Sequence, residues 1–479
     1  MENAIETPPL APMRQEGAFA ELMQIRGLDL PSATEARTEL GPELLPTKLR
    51  LSETLEQIMG AIGIAISDLS ELAGRGRQDF HFASRHLQAQ LMADTHTSVV
   101  AADGTVAPVP EDAAMINMRR MTQPWPTRDN GHFLAHFNLS HLRQRVLNAL
   151  RAEPTPDSVS AAMAARDGLD LEDAIARARA CGTIVRTADA WLDHPQGRAL
   201  SAKPVIKLTR IGDAPPTPVP CGARLLSGLR VLDATRILAG PIAARTLAEQ
   251  GADVLMITAP DLPQVPQHVR NTSHGKRSVY LDLDQPHDRE RLESLVAEAD
   301  VFSDGYRPGS LARRGFGPAR LAELRPGIVN LAVSCYGLDG PFSDRAGWEQ
   351  VAQAASGIAV ANGDDTPRLI PVPACDYLTG FLGALGILLA LGRRAREGGS
   401  WHVEVSLCAS AMMLLRQGIL AQARPVVPLT DAELTAWRVT TPSDYGRLLH
   451  LTPALQMPGS PAFWERPTTM LGRHAPAWL

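Results

Sequence analysis

The chain has 479 residues, 44% of them hydrophobic and 21% charged, which leaves room for two or three globular domains with sizeable cores. Its 47 basic and 52 acidic side chains give a net charge of -5, which argues against nucleic-acid binding, since that draws on a basic face. Cys181, Cys221, Cys335, Cys375 and Cys408 show no C-x-x-C spacing, which speaks against a zinc site or a disulfide framework and for a reducing cytoplasm.

The N-terminus, MENAIETPPLAPM, is acidic and has no apolar h-region, so it does not read as a signal peptide. Residues 1–45 are rich in proline and charge and are expected to be loosely ordered. Within 46–100 the apolar periodicity predicts a helix over 51–72. Gly74-Arg75-Gly76-Arg77 breaks it before a short strand at Phe80-His81-Phe82 and a second helix over 84–92. Residues 101–200 have the texture of a small α+β domain. Asp129-Asn130-Gly131-His132 is a turn between two short strands, and helical patterns follow at 140–151, 158–166 and 170–181. Residues 201–225 carry Pro204, Pro215, Pro216, Pro218 and Pro220 and read as a linker.

Over 229–260 the sequence LRVLDATRILAGPIAARTLAEQGADVLMITAP predicts strand, loop, helix and strand, a βαβ unit with a parallel sheet. Strands at 278–283, 301–302 and 328–334 alternate with helices at 288–298 and 319–324. The pattern predicts an α/β fold: a doubly wound parallel-sheet large domain over 226–420, beside the smaller α+β domain. The loop after the first strand lies where such sheets bind ligands, but it lacks G-x-G-x-x-G, which disfavours a dinucleotide. The longest apolar run, 378–391, is too short to span a bilayer and reads as a buried helix, so no membrane is expected. Shifted by 323 positions, 376–405 lies on 53–82 without a gap. Leu378, Gly383, Ala384, Gly386, Ile387 and Gly399 then fall on Leu55, Gly60, Ala61, Gly63, Ile64 and Gly76. Two glycine-spaced buried helices, or two partial copies of one fold, account equally for this echo. Residues 421–479 form the C-terminal segment.

Two basic loops are placed at one sheet edge: Gly275-Lys276-Arg277-Ser278, and the stretch from Tyr306 and Arg307 through Arg313 and Arg314. Each alone suits a solvated turn or a charged helix start; together they suit an anionic cofactor. Glu349 and Asp376 sit in apolar sequence and are either helix caps or functional carboxylates; Asp376, just before a long helix, suits a cap. His194 reads as a turn residue and Cys375 as a small buried one. Neither G-x-S-x-G nor H-E-x-x-H is present, and no metal is expected.

The runs LSGLRVLDATRILAGPIAARTLAEQGADV, GKRSVYLDL, ADVFSDGYRPGSLARRGFG and YGLDGP resemble, in order and spacing, the class III (CaiB/BaiF-like) CoA-transferases, a family that also holds α-methylacyl-CoA racemases. The likeness is close over 226–416 and looser over 177–200 and at Leu471-Gly472-Arg473-His474. The resemblance implies a Rossmann-like large domain that binds coenzyme A, and an interlocked homodimer or, given the echo, an intramolecular pseudo-dimer. The family's order is large domain, small domain, return segment. Here the small-domain stretch comes first, which implies a partial first copy, 46–100, fused to a second. By position, CoA contacts fall on Ile237, Leu238, Lys276, Tyr306 and Arg313, and an aromatic of the acyl site falls on Trp348. The nucleophile falls on Asp376 and a neighbouring carboxylate on Glu349.

The implied reaction moves CoA from an acyl-CoA to a small carboxylic acid. Asp376 attacks the thioester carbonyl to give a mixed anhydride, and later carries the CoA as an aspartyl thioester. Three departures mark this chain. Thr258 and Ala259 stand where the family has an acidic and a basic residue near the adenosine, no glycine-rich loop follows Leu415, and Trp348-Glu349 replaces the racemases' His-Asp pair. The last favours a transferase over a 2-methylacyl-CoA epimerase; the first two are what a non-catalytic CoA-binding protein would show.

Overall fold

The computed structural model describes residues 10–111, 113–220 and 222–479. Seven strands form the central sheet: β1 (Lys207–Gly212), β2 (Arg230–Ala234), β3 (Asp253–Thr258), β4 (Lys276–Tyr280), β5 (Val301–Asp304), β6 (Val329–Ser334) and β7 (Ser400–Ser406). Their order is β4-β3-β2-β5-β6-β7-β1, with every pair parallel except β7 and β1. Sequences such as VLMI in β3 are apolar on both faces because helices cover both faces of a parallel sheet. Val231 of β2 lies beside Val254 on one side and Val301 on the other. The winding reverses between β2 and β5, so the loops leaving their carboxyl ends diverge and open a crevice.

Five helices matter for the site: α1 (Leu51–Leu72), α2 (Ala239–Glu249), α3 (Glu349–Ser356), α4 (Ala374–Glu397) and α5 (Leu407–Arg416). Helix α4 is the inner element, packed on α2, on α1 and on strands β6 and β7. It comes this close because Gly386 has no side chain: a Cβ there would collide with Val403 of β7. By length and composition α4 could cross a membrane, and its apolar window is wholly buried within the protein.

The smaller unit pairs Trp125–Pro126, His132–Ala135 and Gly182–Ile184 in an antiparallel sheet. The expected turn is there, with Asn130 at φ 58°. Helices Ser140–Leu150, Pro156–Ala164 and Gly168–Arg177 cover a separate core that includes Phe133, Phe137, Val146 and Leu171. The unit docks on the large one where Arg186 N–H donates to the Ala354 carbonyl of α3 at 3.0 Å.

Two expectations need correction. The supposed linker over 201–225 contains strand β1, which closes the sheet edge beyond β7; its prolines flank the strand and leave its ladder intact. The described part of the segment expected to be loose, 10–45, holds helix Ala18–Arg26, with Phe19 and Leu22 buried, and strand Ala36–Glu39. Cys221 and residues 1–9 lie outside the described residues. At the other end, Arg438–Ser443 and Gly446–Leu451 join Ser98–Val100 in an antiparallel sheet. The chain then returns along β4, where His474 N–H donates to the Ser278 carbonyl at 2.9 Å.

Candidate active site

A cavity of about 220 Å³ opens at the carboxyl edge of β2, β5 and β6. Its floor is Asp376, in the first turn of α4; one wall is the β2 loop with Arg236, Ile237, Ala239 and Gly240. Tyr306 and Arg307 follow β5, and the loop after β6 brings Cys335, Tyr336, Arg345 and Trp348. Leu139, His141 and Leu142 reach in from the smaller unit. Ile237 has φ 72°, an unfavourable left-handed conformation for a β-branched residue. Such strain persists where the surrounding structure fixes it, commonly at ligand loops.

Asp376 is not the helix cap that its position in the sequence suggested. Helix α4 begins at Ala374, and its free N–H groups are taken by Glu349 from α3: Glu349 Oε1 accepts from Cys375 N–H at 3.1 Å and Oε2 from Asp376 N–H at 2.6 Å. Gln353 Nε2 donates to the same Oε1 at 2.7 Å. The Asp376 side chain is left to face the cavity while the residue is only 7% exposed. Burial, then the negative charge of Glu349, push its carboxyl well above the ordinary range, with a backbone bond from Ala239 acting the other way. Burial also raises Glu349, against its bonds to Gln353 and to the backbone of Asp376 and Cys375. The negative charge of Glu349 thus opposes ionisation of Asp376, on top of the cost of burial.

The walls are fixed from behind. The Trp348 ring stacks on His136 with centroids 4.6 Å apart, and His136 Nε2 meets Gln350 Oε1 at 3.0 Å. Burial lowers the His136 pKa to about 3, so this ring is a neutral buttress. The loop after β6 is held by Gln196, whose Nε2 donates to the carbonyls of Tyr336 and Asp339, both at 2.7 Å, and whose Oε1 accepts from Phe342 N–H at 2.7 Å. His194 Nδ1 accepts from Gln196 N–H at 3.1 Å, a turn role as expected.

Of the eight residues singled out from sequence, Ile237, Tyr306, Trp348 and Asp376 line the cavity. Leu238 is buried behind the β2 loop, as the residue preceding α2. Arg313 is exposed on the short 3-10 turn Ala312–Arg314, outside the cavity. Lys276 is a correction. Its side chain is 0% exposed, and its Nζ donates to Asp233 Oδ2 and to the Pro241 carbonyl, each at 2.7 Å. Two of its three ammonium donors are taken by these partners, and the enclosed side chain does not line the cavity. Glu349 neighbours Asp376, as the resemblance implied; it holds the start of α4 from behind and is not among the residues lining the cavity. Sequence reasoning missed Arg236, Arg307 and Arg345, though the first two lie in loops it had marked. It also missed Leu139, His141 and Leu142, for which the local sequence carries no signal. Among the described residues no group of three or more His, Cys, Asp or Glu side chains is placed to hold a metal ion.

Residues 226–435 match CoA-transferase family III. An acyl-CoA transferase of Gibberella moniliformis is 36% identical over 274 residues, 54% of this chain and 48% of that protein. The beta subunit of the succinyl-CoA–L-malate CoA-transferase of Chloroflexus aurantiacus is 36% identical over 202 residues, 39% of this chain and 49% of that protein. The chain thus spans about half the length of these curated relatives. A solved CaiB/BaiF family protein from Brucella suis shares 29% identity, with 46% of this chain and 64% of that one covered, at a TM-score of 0.37.

Proposed function

We infer, for a chain whose residues 226–435 match CoA-transferase family III, that it is a member of that family and moves CoA between an acyl-CoA and a carboxylic acid, with Asp376 as the nucleophile. The observation that carries this is the Asp376 carboxyl: buried, with no cationic partner within salt-bridge distance among the described residues, and facing a cavity at the carboxyl edge of the sheet. The strand order, with its reversal between β2 and β5, supports the Rossmann-like reading of the large unit.

The steps balance as a double displacement. An Asp376 oxygen attacks the thioester carbonyl; the C–S bond breaks, leaving a mixed anhydride and CoA thiolate. The thiolate attacks the Asp376 carbonyl carbon, releasing the donor acid and forming an aspartyl thioester. The acceptor carboxylate attacks that carbon and expels the thiolate, giving a second anhydride. The thiolate then takes the acceptor acyl group and frees Asp376. The Ala239 backbone already bonds the Asp376 carboxyl, and the neighbouring Gly240 backbone, which lines the cavity, would be the donor to an oxyanion formed there. Arg236 and Arg307 suit the anionic end of CoA, and Arg313 lies further out for its phosphates. Leu139 and Leu142 supply an apolar surface for the acyl group.

The test is to incubate the protein with acetyl-CoA or succinyl-CoA and look for a hydroxylamine-sensitive adduct. Wild type should form it and Asp376→Ala should not; an adduct on the variant rules out this nucleophile. His141 in the same cavity favours a second reading, proton exchange at the carbon next to the thioester. Loss of an α-deuterium without CoA transfer would select it.

A further inference from the structure

The echo between the two halves extends to element boundaries. Helix α1 starts at Leu51 and α4 at Ala374, 323 residues apart. The strand after α1 ends at Ala83 and β7 ends at Ser406, again 323 apart, as are the next helix starts, Ser84 and Leu407. Pairing repeats as well. Strand Ala36–Glu39 runs parallel to Phe80–Ala83 with Glu39 opposite Ala83, as β6 runs parallel to β7 with Ser334 opposite Ser406. Strand, long helix, parallel strand and short helix therefore occur twice, and the two long helices pack on each other. A chance likeness between glycine-spaced helices accounts for the helices alone, not for coincident strand ends and pairing.

In this register Glu53 occupies the place of Asp376: each is the third residue of its helix. Its surroundings differ in three respects. The loop from strand to long helix, which after β6 carries Tyr336, Arg345, Trp348 and Glu349, shrinks to residues 40–50, so the walls of a cavity are missing. Arg85 stands in place of Cys408, and its guanidinium is taken up by Glu433 and by the carbonyls of Pro42, Val427 and Pro428. The segment after α5 lies across the top. Leu420 N–H donates to the Lys48 carbonyl at 2.8 Å and Val427 N–H to the Glu43 carbonyl at 2.9 Å. From it Arg424 reaches Glu53 at 2.5 Å and Glu43 at 2.8 Å. Burial alone would raise Glu53, but the Arg424 bond and charge outweigh it and hold the carboxyl below its ordinary range, opposite to Asp376.

We propose that residues 36–93 are a second, closed copy of the catalytic unit, with Glu53 at the nucleophile's position and Arg424 and Arg85 sealing it, so that each chain carries one working centre. The centre count rests on the transferase reading; the closure rests on the geometry at Glu53. A chain built this way keeps the helix-on-helix contact of two units while one acts as scaffold and the other as enzyme.

The experiment has two arms on the full chain. With acetyl-CoA and with succinyl-CoA, intact-mass analysis should find one hydroxylamine-sensitive adduct per chain for wild type and for Glu53→Gln, and none for Asp376→Asn. Two adducts per chain, or an adduct on the Glu53 peptide of Asp376→Asn, overturns the proposal. Absence of an adduct from every form counts against the transferase reading, and the thermal arm then decides closure by itself. There, Glu53→Gln and Arg424→Met should each lower Tm by roughly 2 °C or more, and the double variant by no more than the worse single one. A Glu53→Gln protein as stable as wild type, or more stable, overturns the closure.

Discussion

The Asp376 N–H donates to Glu349 Oε2 at 2.6 Å, so the carboxylate that orients the start of α4 also lies against the carboxyl presented to the cavity. Glu349 thereby helps position the proposed nucleophile and adds to the effect of burial in raising its carboxyl.

Removing that charge should move the pH profile. The rate of adduct formation should rise with pH as Asp376 ionises, because burial and Glu349 hold its carboxyl above the ordinary range. In Glu349→Gln the repulsion is gone, so the midpoint should shift toward acid, with some loss of rate from the weakened hold on α4. Adduct formation followed across pH for both proteins checks this, and an unmoved midpoint contradicts the coupling.

Lys276 should behave as a structural residue. Its ammonium and the Asp233 carboxylate are 0% and 1% exposed and pair at 2.7 Å. Breaking a buried pair from one side costs about 3–5 kcal/mol, because the remaining charge has no partner. Lys276→Met should lose stability on that scale in urea unfolding, and Lys276→Met with Asp233→Asn should recover most of it. A stable single variant with weakened CoA binding would return Lys276 to the ligand site.

Glu249 at the end of α2 should make stability depend on pH. Burial raises its pKa from 4.5 to about 7, against the charge of Arg245. A raised carboxyl favours the folded state below pH 4.5, and that contribution is lost as pH rises through 7, a difference of about 3 kcal/mol. Glu249→Gln should be more stable than wild type at pH 8 and lose that advantage at pH 4. Urea midpoints at the two pH values measure it; equal differences at both would contradict the shift.

Gly386 should tolerate no larger residue. A Cβ there meets Val403 and Ile206, so Gly386→Ala should destabilise by about 1–3 kcal/mol. Adding Val403→Ala should relieve part of the loss, as a direct clash requires and a change in helix propensity does not.

How far the sequence discloses this structure follows the range of each interaction. Strands β2 and β3, helix α4 and the turn at Asn130 are local patterns and could be read directly. Asp376 stands out by resemblance, and its real surroundings depend on Glu349, 27 residues away. Lys276 was misplaced because a basic pair beside a glycine looks like a surface turn; its partner Asp233 lies 43 residues back and two strands over. Strand β1 was hidden by its flanking prolines. Leu139, His141 and Leu142 reach the cavity only through the docking of a separate unit, which no local pattern encodes.

The central claim, that Asp376 is the nucleophile of a double displacement, has a direct isotopic test. By microscopic reversibility the donor's own acid is an acceptor, so succinyl-CoA with ¹⁸O-labelled succinate suffices. When CoA thiolate attacks the acceptor side of the second anhydride, the bridging oxygen stays on the enzyme. After a single turnover, the peptide containing Asp376 should carry one heavy oxygen, and it should carry none if succinyl-CoA is omitted. Exchange of label into succinyl-CoA with no heavy oxygen at Asp376 would contradict the account.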